Sequence, residues 1–212
     1  NIMYGSDNQN GSLALTQTPL IPGWQHIGAV FTGDSMLVYI NGELDANVVV
    51  FQNPGSVNDY DNSVWHMADV LGGSGNVGGK ISSMSLWSKP LQQYDIQNLM
   101  SESPDPLSAG LMGMWKFAEG EGSLLHDHSG NGNHGTITGA TWSDDVPVLP
   151  VPPVIGGNNS LSFDGVDDYV DFGSNNLFFP STDYTWQFDF VVRSHYYQTN
   201  SVQMHQPFIN RS

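Results

Sequence analysis

Three aspartates lie within five residues of one another and have the chemistry of a cation site. Asp164, Asp167 and Asp168 belong to the segment Asp-Gly-Val-Asp-Asp, in which Gly165 permits a tight turn. Calcium binds through several oxygen atoms of carboxylates and backbone carbonyls. The cluster therefore predicts a calcium site. The alternative is that Asp167 and Asp168 only cap a hairpin.

A second oxygen-rich loop places polar side chains at every other position. Its members are Asp127, Ser129, Asn131 and Asn133, separated by two glycines and a histidine. No acidic residue closes the loop at the spacing of an EF-hand. Two interpretations stay open: a calcium loop that uses Asp127, Asn131 and Asn133, or a chain of turns in which these side chains cap their own backbone.

Histidines and one group of aromatic residues suggest two further sites. His126, His128 and His134 could bind zinc if two of the rings share a strand face, although solvated loop histidines have the same pattern. Trp65 follows a long polar loop and lies near Tyr60 and His66 in the sequence. These three residues predict a ligand-binding rim, because an exposed aromatic face can stack on a sugar ring. The other tryptophans fall in strand patterns and are predicted to be core residues.

The chain lacks the motifs of an enzyme. Glu119 and Glu121 form the only close pair of glutamates, and they lie in a turn-like Glu-Gly-Glu-Gly segment. Glycoside hydrolysis requires two carboxylates on opposite sides of a cleft. Neither a nucleophile elbow nor a phosphate-binding loop is present. The sequence therefore predicts a non-catalytic protein.

Composition excludes several other classes of function. The 212 residues include 21 acidic and only five basic side chains, for a net charge of −16. Such a charge opposes binding to nucleic acid or to an anionic membrane. No apolar run is long enough to span a bilayer. The absence of cysteine excludes a disulfide framework and cysteine metal sites.

The elements that must position these residues are mostly short β-strands. Apolar residues recur with a period of two, and Asn41-Gly42 between two such runs is the strongest hairpin signal. Residues 90–100 are the one predicted helix, with Leu91, Tyr94, Ile96 and Leu99 as its apolar positions. This pattern predicts an all-β protein, an antiparallel β-sandwich of the jelly-roll type with one short helix. The strands are expected at residues 24–31, 36–40, 43–50, 80–87, 111–117, 136–142, 160–163, 168–172, 184–192 and 204–212.

A proline-rich segment interrupts the strand pattern. Four prolines lie within residues 147–153 and favour an extended conformation without backbone donors. Such a segment is unsuited to a central strand, so residues 148–155 are predicted to be a linker.

Several segments together resemble the laminin G-like jelly-roll family, in its concanavalin A-like form common in bacterial surface proteins. Each segment is weak evidence alone, but together they cover most of the chain. The resemblance departs from the family at Ser82-Ser83, where relatives often carry aspartate, and this weakens a complete calcium site. The Glu-x-Asp-x-x-Glu strand of laminarinase-like enzymes is also absent. The similar segments are 160–170 (opening strand pair), 184–192 (next core strand), 24–31 with 38–42 (central hairpin), 80–87 with 91–100 (late strand and helix), and 113–122, 127–135 and 139–142 (closing segment).

The order of these segments is cyclically shifted relative to the family. Residues 1–147 resemble its middle and C-terminal parts, and residues 156–212 resemble its N-terminal part. A window cut from a tandem array explains the shift most simply. Residues 156–212 could complete the fold of their own chain, as a circular permutant, or that of a neighbouring copy. Two incomplete domains are the third option, which unpaired edges and exposed apolar faces disfavour.

The resemblance implies an extracellular or cell-surface protein. The cyclic shift and the proline-rich linker favour a structural or adhesive repeat that assembles head-to-tail with copies of itself in a filament or tandem array. The alternative is a calcium-dependent, lectin-like module that binds cell-surface glycans.

Overall fold

The predicted sandwich is present in the computed structural model. The structure describes residues 21–32, 35–45, 49–50, 65–68, 78–148, 157–173, 183–192 and 209–211. Every strand pairing among these residues is antiparallel. The strands are β1 (Gln25–Thr32), β2 (Ser35–Ile40), β3 (Glu43–Leu44), β4 (Val49–Val50), β5 (Trp65–Met67), β6 (Gly78–Trp87), β7 (Leu111–Trp115), β8 (Leu124–Leu125), β9 (Gly135–Thr138), β10 (Thr141–Ser143), β11 (Ser160–Asp164), β12 (Tyr169–Asp171), β13 (Asp183–Val192) and β14 (Ile209–Arg211).

The strands form a large and a small sheet. The large sheet has the order β10-β11-β6-β13-β1-β2-β3, with β4 paired to β2 and β7 paired to β6. The small sheet has the order β14-β5-β12-β9-β8. Strands that follow the proline-rich segment therefore lie beside strands that precede it in both sheets.

The main core uses alternate residues of the central strands. On β13, Trp186, Phe188 and Phe190 are buried in this core, whereas the residues between them lie on the opposite face. Trp115 is fully buried, and its ring lies 4.8 Å from that of Phe172. The core therefore joins residues from both sheets and from both sides of the proline-rich segment.

The one helix among the described residues, α1 (Gln93–Leu99), packs in a second, smaller apolar cluster. Ile96 and Leu91 are buried there with Trp87 and Val30. The Asp95 carboxylate accepts a hydrogen bond from the Gln92 N–H, which satisfies one of the free donors at the helix start. The prediction that Tyr94 belongs to the apolar face is wrong, since Tyr94 is 70% exposed.

Turn residues decide where strands begin and end. Asn41 and Gly42 both have positive φ, at 51° and 77°, as the predicted hairpin turn requires. The prediction of one strand over residues 136–142 is wrong. Gly139 has a φ of 77° and separates β9 in the small sheet from β10 in the large sheet. The expected strand over residues 43–50 is likewise described only at its two ends, as β3 and β4.

Candidate functional site

The three predicted calcium ligands lie at a corner of the sandwich. Asp164 ends β11 in the large sheet, and Asp168 precedes β12 in the small sheet. The intervening turn uses Gly165, with a φ of 84°. Asp164 Oδ1 accepts a hydrogen bond from Val166 N at 2.7 Å, and Asp168 Oδ2 accepts one from Asp164 N at 2.6 Å. The chain therefore turns tightly enough to gather the three carboxylates.

The second turn between the sheets packs against this corner. Tyr169 is opposite Thr138 in the small sheet, so Gly139 follows directly beside Asp168. A Cβ atom at position 139 would overlap with Asp168 Oδ1. Asp168 is buried at 6% exposure, whereas Asp164 and Asp167 are exposed. Glycine at position 139 is thus required both by its φ and by this close approach.

The spacing of the carboxylates fits one cation. One oxygen from each aspartate lies within 4.8 Å of the other two. Calcium–oxygen bonds are about 2.3–2.6 Å long, so two ligands of one ion are separated by at most about 5 Å. In the part of the chain that is described, this is the only group of three acidic, histidine or cysteine side chains with that property. Calcium would need further oxygen ligands beyond these three.

The other oxygen-rich loop is organised by its own hydrogen bonds. Asp127 is 8% exposed, and its Oδ1 accepts hydrogen bonds from Met114 N and Ser129 N, at 3.0 and 2.8 Å. Its Oδ2 accepts bonds from Ser129 Oγ and Asn133 N, at 2.8 and 2.9 Å. Four donors therefore surround the Asp127 carboxylate. This geometry favours the self-capping interpretation over the calcium loop.

The two asparagines of this loop bind the backbone of β7. Asn131 Nδ2 donates to Leu111 O and Met112 O, and Asn133 Nδ2 donates to Met112 O at 2.7 Å. In return, Trp115 Nε1 donates to Asn133 O at 2.8 Å. Hydrogen bonds therefore connect β7 to the loop that follows β8.

The three histidines do not assemble into a metal site. His126 Nδ1 lies 3.1 Å from Glu119 Oε1, and His128 Nδ1 lies 3.0 Å from the His126 carbonyl. His134 Nδ1 accepts a hydrogen bond from Asp127 N, so this nitrogen has no free lone pair. Within the described ranges, no three of these ligand atoms come close enough for one ion. The zinc hypothesis is therefore wrong for this arrangement.

The predicted ligand-binding rim falls largely outside the described residues. Trp65 and His66 lie on β5, of which the backbone is described, and Tyr60 lies outside the described ranges. Trp87, Trp115 and Trp186 are buried, as predicted. Trp24 differs, because its Nε1 donates to Asp145 Oδ1 at 3.1 Å at the surface. Asp145 Oδ2 also accepts a hydrogen bond from Lys80 Nζ at 2.8 Å. This hydrogen bond is the main reason that the pKa of Asp145 is lowered.

One group of polar residues was missed by the sequence reasoning. His26 Nδ1 lies 2.9 Å from Asp189 Oδ1, and Ser83 Oγ donates to Asp189 Oδ2 at 2.6 Å. The three residues occupy one row across β1, β13 and β6. The available signal was the regular alternation of polar and aromatic residues along β13. Asp189 lies between the histidine and the serine, which is not the order of a hydrolase triad, where histidine contacts the nucleophile.

Comparison with known proteins agrees with the fold. The model of the concanavalin A-like lectin/glucanases superfamily, in its laminin G-like form, matches residues 2–97. No curated protein and no solved structure shows a significant match to the chain. The two-sheet architecture defines an antiparallel β-sandwich protein. The family match to residues 2–97 agrees with this architecture and supports a laminin G-like, concanavalin A-like domain.

This superfamily includes both glucanases and non-catalytic domains, and laminin G-like members of this kind are typically non-enzymatic. Among the described helices, none has the length and apolarity needed to cross a bilayer.

Proposed function

We propose that this chain is a non-catalytic, extracellular structural or adhesive module that assembles head-to-tail with copies of itself. The observation that carries the module is the position of β13 between β6 and β1, in the middle of the large sheet; assembly is inferred because the same strand pairing could form between copies. Residues 79–87 and 25–32 lie on either side of it, and both precede the proline-rich segment. A strand from the end of the sequence therefore completes a sheet begun by its first half.

The pairing supports the interpretation of residues 1–147 and 156–212 as parts of one laminin G-like domain. β11 joins β6 to β10, and β12 joins β5 to β9. Without these strands the sheets would have unpaired edges and exposed apolar faces, which favour association. Residues 148–155 then act as the connection between the two parts, as their prolines suggest.

The hydrogen bonds of Glu119 support a non-catalytic role. Its Oε1 accepts bonds from His126 N at 2.9 Å and lies 3.1 Å from His126 Nδ1. Glu121 is exposed in the adjacent turn. Glu119 thus stabilises a turn and Glu121 is exposed beside it, an arrangement unlike paired carboxylates across a cleft. The net charge of −16 suits a soluble surface protein in a medium that contains salt or calcium.

Assembly can be tested on the purified 212-residue chain. Sedimentation over a wide range of protein concentration, followed by negative-stain microscopy, should reveal ordered end-to-end particles as concentration rises. Discrete single globules at every concentration would contradict assembly through this chain alone.

A calcium-dependent, lectin-like module that binds cell-surface glycans is the second candidate function. The specific observation in its favour is the approach of the Asp164, Asp167 and Asp168 carboxylates to within 4.8 Å. Calcium bound there would neutralise part of the cluster and fix the turn between the two sheets. That turn would then be held in one conformation for contact with a glycan.

Calcium binding is tested most directly with Asp167→Asn. We expect calcium to raise the Tm of the unmodified chain and a chelator to reverse the effect, because a ligand of the folded state stabilises it. Asp167→Asn should abolish most of the shift, whereas Asp144→Asn, which removes an exposed charge outside the cluster, should retain it. Equal shifts in both variants would exclude this site, and a glycan array with and without calcium would then test binding itself.

A further inference from the structure

The outer face of β13 carries three polar side chains at alternate positions. Thr185, Gln187 and Asp189 face away from the core that receives Trp186, Phe188 and Phe190. Thr185 and Gln187 are 0% and 4% exposed, and the Asp189 side chain is 15% exposed. We name these three residues the β13 polar ladder.

Each member of the ladder binds a partner in the first part of the chain. Thr185 Oγ1 accepts a hydrogen bond from Leu91 N and donates one to Lys89 O, both at 2.9 Å. Gln187 Nε2 donates to Ser85 Oγ at 2.8 Å. Asp189 binds His26 and Ser83 at 2.9 and 2.6 Å. The side-chain bonds thus run along the whole seam between β13 and its neighbours.

The ladder distinguishes the observed register from its nearest alternative. A shift of β13 by one residue would expose the aromatic core, so the core itself excludes it. A shift by two residues keeps every side chain on its own face. It would, however, move the buried Thr185 and Gln187 and the partly buried Asp189 away from their partners, and leaving such polar groups unsatisfied is destabilising. The ladder therefore penalises the one slip that the core tolerates.

The ladder is better suited to specificity than to maximal stability. His26 Nε2 and Gln187 Oε1 are buried without a hydrogen-bond partner among the described residues. A seam selected only for stability would replace such groups with apolar side chains, whereas buried polar groups can specify one pairing among several.

We infer that β11, β12 and β13 of one copy pair with strands of the first part of a second copy, with β13 between β6 and β1 of that copy and the β13 polar ladder setting the register. This inference rests on the self-association in the proposed function. Every seam contact can form identically between copies, because the two parts are linked only by the proline-rich connection. The ends of that connection are near each other, since Ser160 Oγ donates to Asp145 O at 2.7 Å. Protein concentration therefore mainly decides whether these strands pair within one chain or between two chains.

Cysteine pairs can detect exchange in the 212-residue chain, which has no cysteine of its own. Thr32 and Asp183 are opposite each other on β1 and β13, within reach of a disulfide. Chains with T32C alone and D183C alone should be mixed, unfolded in urea, refolded together at high concentration and oxidised. We expect a covalent heterodimer that neither variant forms alone. Thr141 and Ser162, opposite each other on β10 and β11, provide a second pair.

The doubly substituted chain T32C/D183C is the folding control. If it forms a monomeric disulfide but both mixtures yield no heterodimer at any concentration, the exchange is refuted. End-to-end particles without heterodimers would leave the proposed assembly intact and reject exchange as its mechanism. Heterodimers from a chain that forms no such particles would reject the proposed filament and retain exchange.

The role of the ladder needs a probe of register. V30C with D183C reports a two-residue slip, because Val30 is opposite Thr185 in the observed register. We expect this probe to form little disulfide in the unmodified background and several-fold more with Thr185→Val. Thr136→Val, the same change on the exposed face of β9, should have no effect. Equal disulfide yields in the Thr185→Val and Thr136→Val backgrounds would show that the ladder does not set the register.

Discussion

At the scale of single residues, carboxylates serve two different purposes in this molecule. Asp127 is surrounded by hydrogen-bond donors and organises a loop. Asp164, Asp167 and Asp168 instead bring oxygen atoms together at a surface corner. The same residue type therefore has a structural role where backbone N–H groups converge on it and a ligand-like geometry where carboxylates converge on one another.

Replacing Asp127 tests its structural role. Asp127→Ala should lower the free energy of unfolding by about 2–4 kcal/mol, because it leaves several buried donors without an acceptor. Urea titration monitored by tryptophan fluorescence measures the change. Asp144→Ala, at an exposed position, should alter the free energy by less than about 0.5 kcal/mol. A small effect at position 127 would contradict the assigned role.

The Lys80–Asp145 pair predicts a weak dependence of stability on acid. The Lys80 hydrogen bond lowers the pKa of Asp145, with a further contribution from Trp24. The pair therefore stabilises the fold above the unfolded-state pKa of about 4 and loses this contribution as the pH falls through the lower, folded-state pKa. Because both side chains are partly exposed, the contribution should be below about 1 kcal/mol.

Lys80→Met tests that dependence. Its deficit in unfolding free energy relative to the unmodified chain should be largest at neutral pH and shrink below about pH 4. Urea titrations at several pH values provide the comparison. A deficit that stays constant down to the acid limit would mean that Lys80 acts through packing rather than charge.

At the scale of elements, the close approach of β6 and β13 depends on glycine. A Cβ atom at Gly79 would overlap with the Val191 carbonyl and approach the Phe190 ring to 2.6 Å. Gly28, on β1, has more space, with Ile96 Cγ2 at 3.3 Å from the position of an added Cβ. The two glycines therefore differ in what surrounds them rather than in their strand setting.

This difference gives a matched pair of variants. Gly79→Ala should destabilise the fold by about 2–4 kcal/mol, because backbone must move to admit the methyl group. Gly28→Ala should change stability by less than about 1.5 kcal/mol, since a flexible side chain can adjust. Chemical unfolding of both variants measures the contrast. Equal losses would imply that Gly79 is not in close contact with Val191.

Most elements could be predicted from the sequence because their signals are local. The alternation in residues 80–87 and 184–192 indicates β6 and β13, and Asn41-Gly42 indicates the turn after β2. The split of residues 136–142 at Gly139 could not be predicted, because both halves have strand patterns and only tertiary packing places them in different sheets. The exposure of Tyr94 was missed for a similar reason, since a helix of seven residues buries only a narrow stripe.

The candidate site was predictable in part. The Asp164, Asp167 and Asp168 cluster is local in sequence, so its proximity follows from one turn. In the row of His26, Ser83 and Asp189, the aspartate contacts two residues that are each more than one hundred positions away in the sequence, and this depends on strand order that no local pattern encodes.

At the scale of the whole molecule, charge opposes compactness. A net charge of −16 on 212 residues produces self-repulsion that folding intensifies. Salt screens such repulsion over distances of about 10 Å at 0.1 M. Tm should therefore rise between low and moderate sodium chloride concentrations, as measured by differential scanning calorimetry. A falling Tm over this range would show that local ion pairs outweigh the overall repulsion.

The central position of β13 also has a consequence for synthesis on the ribosome. Translation delivers β1, β2 and β6 long before the strand that separates β1 from β6 has been polymerised. The nascent large sheet cannot close until β13, which ends at Val192, has been synthesised after β1, β2 and β6. Its contacts are also distant in sequence, which slows folding in general. Strands that are synthesised early therefore lack their partner β13 during this interval. Chaperones or neighbouring nascent copies can bind them in that time.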